Sequence, residues 1–243
     1  MKWRMKFALA LLTLSATVYL VHYLIFVDVE HLLKYGLHEL AFVPVEVLLV
    51  SMILHGLLER REKRATLEKM NMVIGTFFTE MGTETLARIA EFDTDEPALP
   101  QRYVPAPSWG DTDYSAAIKA VQSITAGVDA GSQDLDSLNS YFIENRDFMM
   151  RLLENPNLLE HDSFTDLLWA LVHLAEELRR RQMLTDLPDS DLEHLSGDIR
   201  RVYAALLAAW LEYLNHLRGR YPYLYSLALR TNPFDPHADP VVG

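Results

Sequence analysis

Two long apolar runs open the chain, residues 7–27 and 40–58, and a basic cluster of Arg60, Arg61, Lys63 and Arg64 closes the second. Each run has about the 20 residues that a helix needs to cross a bilayer. Between them, residues 28–38 carry Val29, Leu32, Leu33 and Leu37 near helical spacing, which predicts a short amphipathic helix at the membrane interface. Beyond the basic cluster, Leu67, Met70, Ile74, Phe77, Phe78 and Met81 recur near i, i+3, i+4 and i+7, so residues 65–92 read as a helix running on from the membrane. Four prolines then mark residues 93–113 as a linker or surface loop, with Arg102, Tyr103 and Trp109 as docking residues. Helical periodicity resumes over 114–128, 134–154, 158–182 and 192–218. The last of these is the clearest, with Leu195, Ile199, Val202, Leu206, Trp210, Leu214 and Leu217 on one stripe.

No run alternates with the period of a strand, so the expected fold is all-α. The predicted organisation is a transmembrane hairpin over 1–64, the continuing helix, the linker, and an acidic helical bundle over 114–234. The aromatic segment 221–234 should be docked, because exposed apolar patches of that size are rare on soluble surfaces, and 235–243 reads as disordered.

Charge sharpens this division. The 243 residues carry a formal net charge of −12, yet from residue 66 onward 14 Lys and Arg face 28 Asp and Glu. Phosphate backbones would repel such a domain, which argues against nucleic-acid binding. The absence of cysteine excludes disulfides, thiolate metal sites and a cysteine nucleophile. The first run is longer than a signal-peptide core and no small-x-small site follows it, so it reads as an uncleaved anchor. Lys2, Arg4 and Lys6 precede the first run and the basic cluster follows the second, whereas the turn holds only Lys34. By the positive-inside rule, both termini face the cytoplasm of a prokaryotic inner membrane.

Glu46 lies well inside the second run and Pro44 two residues before it. A charge at the bilayer centre costs at least ~2.5–3.5 kcal/mol, so its partner matters. Counting ~1.5 Å per residue from the basic flanks puts Glu46 level with His22, beside a stripe of Ser15, Tyr19 and His22 at i, i+4 and i+7. Three readings follow. Glu46 is structurally paired with that stripe, or Pro44 starts the membrane helix and leaves Glu46 shallow, or Glu46 and His22 line the path of a homo-oligomeric channel. His31 and His38 with Glu30 and Glu39 are too loosely spaced for a compact ligand set and read as interface residues.

In the bundle, His173 with Glu176 and Glu177, and Glu212 with His216, place carboxylates within a turn of histidines. Di-iron bundles want paired Glu-x-x-His elements, and neither pair has that order and spacing, so these residues are weak metal candidates and no cofactor is expected. There is no phosphate-cradling glycine loop and no nucleophile elbow.

Several strings are shared with a family of uncharacterised prokaryotic membrane proteins. They are Glu39-Leu40-Ala41-Phe42 with Pro44 and Glu46-Val47-Leu48-Leu49-Val50, Leu67 through Gly75, Glu144-Asn145-Arg146, Leu152 through Pro156, Phe164 through Leu168, and the 221–234 segment. The chain resembles this family over most of its length. The resemblance implies two transmembrane helices with a helical cytoplasmic domain and transfers no catalytic residue. The leading expectation is a non-enzymatic membrane protein whose hairpin anchors and oligomerises, and whose acidic domain binds a protein partner or senses a signal. Ion translocation is the alternative, and a membrane-bound metal-dependent enzyme the weaker one.

Overall fold

The computed structural model describes residues 2–26, 29–95, 99–123, 127–156, 158, 162–232, 234–235 and 238–241. The chain is all-α, and among the described residues the one β-type contact is an isolated antiparallel bridge between Asp93 and Val128. Two compact units, Met1–Lys63 and Arg64–Gly243, meet within a helix, and each is described by itself.

The first unit contains α1, Lys2–Phe26, and the start of α2, Val29–Phe77. The apolar spans Met5–Ile25 and Leu33–Glu59 hold 21 and 27 residues, enough at ~1.5 Å per residue to cross ~30 Å of hydrocarbon. The interfacial helix expected over 28–38 is not separate; apart from Asp28, which lies outside the described residues, it is the first part of α2. Gly36 is the sole weak helix former there, and ~1 kcal/mol is too little to stop a helix that apolar neighbours continue. Pro44 likewise sits inside α2 rather than at its start, and it denies the Leu40 carbonyl its i→i−4 donor.

The second unit is a bundle centred on α8, Asp189–Arg220, against which α3 (Thr83–Ala90), α5 (Asp111–Ser123), α7 (Asp162–Arg180) and α9 (Pro222–Arg230) pack. Helix α6, Leu135–Leu153, packs on α7, and its N-terminus is capped by Asp134, whose carboxylate accepts from the backbone of Asp136 and Ser137. All seven residues of the α8 stripe are buried. The helix expected over 65–92 is interrupted by one π-helical turn, Phe78–Gly82, where both the amide and the hydroxyl of Thr83 donate to the Phe78 carbonyl. The consecutive Phe77 and Phe78, at the junction of α2 and this turn, are both buried.

The proline-rich segment is more ordered than a free linker. It contains α4, Leu99–Arg102, and Arg102 pairs with Asp95 at 3.4 Å. Trp109 and Tyr103 pack on the core, with the Trp109 ring edge-on to Tyr114 at 5.2 Å. The helix expected over 114–128 spans Asp111–Ser123, and Val128 belongs instead to the bridge. In the aromatic C-terminal segment, Tyr225 is buried with its hydroxyl 3.0 Å from that of Tyr114, and Phe234 lies edge-on to Trp210. Of the tail expected to be disordered, residues 236, 237, 242 and 243 lie outside the described residues, while Arg230 donates to the Pro240 carbonyl.

Candidate functional site

The hairpin unit holds a cleft of about 620 Å³ between α1 and α2. From α1 it takes Leu11, Leu14, Ser15, Val18, Tyr19 and His22, which the helical period places on one face. From α2 it takes Tyr35, Gly36 and Glu39. The Tyr19 hydroxyl donates to Glu39 Oε2 at 3.0 Å and ties the two helices together.

That contact fixes the antiparallel register. His22 stands near the level of Gly36 rather than Glu46, ten positions from the depth count. The count failed because it set Lys6 and Arg60 at equal depth, and helices that pair by side-chain contact need not align their charged flanks. Ser15, Tyr19 and His22 are therefore brought together with each other and with Glu39, whereas Glu46 is not among the cleft residues. Glu46 is exposed on α2, about 10 Å along the helix from Glu39, with Pro44 two residues before it. Sequence reasoning treated Glu39 as an interface residue. Its 20-residue separation from Tyr19 gives no periodic signal.

A second polar cluster joins α7 to α8 in the bundle. Asp198 is 3% exposed, and its Oδ2 stands 3.4 Å from both His173 Nε2 and His194 Nε2. Its Oδ1 accepts from Arg201 Nη1 at 2.8 Å. His194 Nε2 also lies 3.7 Å from Glu177 Oε2. Arg181 then bridges the helices, donating to Glu177 Oε2 at 2.9 Å and forking onto both oxygens of Asp191 at 2.7 and 2.8 Å. The Arg181 hydrogen bonds hold the carboxyls of Glu177 and Asp191 below their ordinary range, burial acting weakly the other way. The pattern is two i, i+4 pairs on antiparallel helices, His173 with Glu177 and His194 with Asp198.

The remaining metal candidates lie elsewhere. Glu176 faces Arg146, Arg179 and Arg180, and the Arg179 hydrogen bond holds its carboxyl low. Glu212 lines a small cleft with Asn71, Ser163 and Tyr213. His216 packs edge-on to Tyr221, and burial, with Arg220 adding, pushes its imidazole below the ordinary range. Among the described residues, no three His, Asp or Glu are arranged to hold a metal ion. In the α7–α8 cluster, Arg201 sits on Asp198 and Arg181 on Glu177 and Asp191.

A narrow groove runs between α6 and α7. Ile143, Met150, Val172 and Ala175 line it with the charged Arg146, Glu176 and Arg179, over the buried Phe142 and Met149; Ile143 is 52% and, outside the groove, Trp169 59% exposed.

Comparison with known proteins agrees with this division into two parts. Residues 1–58 match the family described as the N-terminal helical domain of MJ1433, and residues 66–230 match the C-terminal helical domain of the uncharacterized protein MJ1433. The chain is similar to uncharacterized protein MJ1433 of Methanocaldococcus jannaschii, with 47% identity over 234 residues that cover 96% of this chain and 94% of that protein. No solved structure matches. With both domains and nearly the full length aligned, the chain belongs to the MJ1433 family of helical proteins.

Proposed function

We propose that residues 1–63 form a two-span hairpin in a prokaryotic inner membrane, holding the acidic helical domain on the cytoplasmic side as the docking module of a non-enzymatic, oligomeric protein. One observation carries this reading. No part of the apolar windows in Met5–Ile25 and Leu33–Glu59 is buried by the chain itself, whereas the second unit closes a continuous core. Apolar surface costs about 25 cal/mol per Å² in water, so two exposed helices of this length call for hydrocarbon around them. The basic flanks supply the orientation. The exposed Trp169 and Ile143 side chains support contact with a partner.

The cysteine-free sequence makes the test direct. Lys34→Cys should react with a membrane-impermeant maleimide in right-side-out vesicles, and Ser108→Cys in inverted ones. Release of the protein by alkaline carbonate, or the opposite labelling, overturns the reading. A second reading, ion translocation, is favoured by the polar cleft around Tyr19 and Glu39. Two helices cannot enclose a pore, so this reading requires a homo-oligomer, and a monomer in mild detergent ends it.

A further inference from the structure

We propose that the cleft between α1 and α2 is a lipid slot, which takes one membrane lipid whose head ends in a primary ammonium group. This rests on the hairpin lying in a membrane. Three features of the cleft point to such an occupant. Its size, about 620 Å³, falls within the range of small-molecule sites, ~300–1,000 Å³. A Cβ built on Gly36 would meet no atom within 4 Å, so the missing side chain leaves real space in the cleft wall.

The second feature is a gradient of polarity along one face. Leu11, Leu14 and Val18, with Ser15 the one hydroxyl among them, supply the end of the cleft toward the middle of α1, while Tyr19, His22 and Glu39 supply the end toward the helix connection. An amphiphile with its head at the connection and its chain descending between the helices meets matching chemistry at each level. Neither a soluble polar ligand nor a plain hydrocarbon does so.

The third feature is the sign of the charge. The lining includes one carboxylate and no lysine or arginine. A carboxylate offers about four acceptor positions, and the Tyr19 hydroxyl takes one, at Oε2. An ammonium group can donate to the others, whereas an anionic terminal group finds no lysine or arginine in the lining. The bond from Tyr19 also holds Glu39 in place before the lipid arrives, which lowers the ordering cost of binding.

Native mass spectrometry of the full chain in mild detergent tests this with two lipids of identical acyl chains. Phosphatidylethanolamine ends in a primary ammonium, and phosphatidylglycerol in a neutral diol; both carry the phosphate. The parent should retain one phosphatidylethanolamine per chain in preference to phosphatidylglycerol. Glu39→Gln, which keeps the shape of the side chain, should lose about tenfold in that preference, the size expected for one charge-assisted hydrogen bond. Gly36→Leu should reduce binding of both lipids by filling the slot. Glu30→Gln, on the exposed pair with Lys34, should change neither. Equal retention of the two lipids by the parent, or an unchanged preference in Glu39→Gln, overturns the slot while leaving a carbonate-resistant membrane hairpin standing. A protein that carbonate releases overturns both.

Discussion

The Tyr203 hydroxyl donates to Asp93 Oδ2 at 2.8 Å and joins the middle of α8 to the segment that follows α3. Burial, and then the hydrogen bond to Asp93, push the Tyr203 phenol far above its ordinary range, so it stays a neutral donor at every working pH. Tyr203→Phe keeps the buried ring and removes only the donor. The expected cost is about 1–3 kcal/mol, the penalty for taking a donor from a partly buried carboxylate. Chemical denaturation followed by tryptophan fluorescence measures it in the full chain.

Gly75, before the π-helical turn, and Gly82, its last residue, should respond in opposite directions. A Cβ on Gly82 would fall 2.5 and 2.8 Å from ring atoms of Phe77, and those rings are locked in the core. Gly82→Ala should therefore destabilise by about 1–3 kcal/mol through overpacking. At Gly75 a Cβ would meet Tyr213 at 3.5 Å, an ordinary contact. Gly75→Ala should be neutral or stabilise by up to ~1 kcal/mol, because alanine is the better helix former. Equal effects of the two substitutions would contradict the packing described for Phe77.

The Arg181 bridge makes acid sensitivity specific to the α7–α8 contact. Glu177 and Asp191 ionise more easily in the fold than their ordinary values of 4.5 and 3.8. Their contribution is therefore complete above about pH 4.5 and fades as pH falls through the lower folded values. Arg181→Met should cost about 1 kcal/mol per carboxylate at pH 7, since both are partly solvated, and almost nothing near pH 2. Unfolding midpoints of parent and variant across pH 2–7 should converge toward acid. Parallel curves would show that Arg181 acts through packing alone.

Patterns within one element were readable from sequence, and pairings between elements were not. The stripe from Leu195 to Leu217 gave the buried face of α8 because the helical period alone decides which residues share a side. The two apolar spans were legible for the same local reason. The sequence places His173 within a turn of Glu176 and Glu177, but nothing in the spacing of α7 links it to His194 and Asp198 on α8. Only the antiparallel packing of two separate faces sets the buried carboxylate between two imidazoles. The π-helical turn Phe78–Gly82 has no local signature, because the helical period of residues 65–92 continues through it.

The register of the hairpin gives the sharpest separation between what spacing suggested and what contact shows. Depth counting pairs His22 with Glu46, whereas the Tyr19–Glu39 bond displaces that pairing by ten residues, or ~15 Å along a helix. Because the chain has no cysteine, pairs can be introduced without background. Tyr19→Cys with Glu39→Cys should be joined within one chain by a short bifunctional thiol reagent in membranes. His22→Cys with Glu46→Cys should not, because no short spacer covers that offset. Dilution of the labelled chain with unlabelled protein distinguishes links within a hairpin from links between copies. Efficient linking of the second pair and not the first would restore Glu46 as the partner of the polar stripe. It would also remove Glu39 from the cleft and with it the proposed lipid slot.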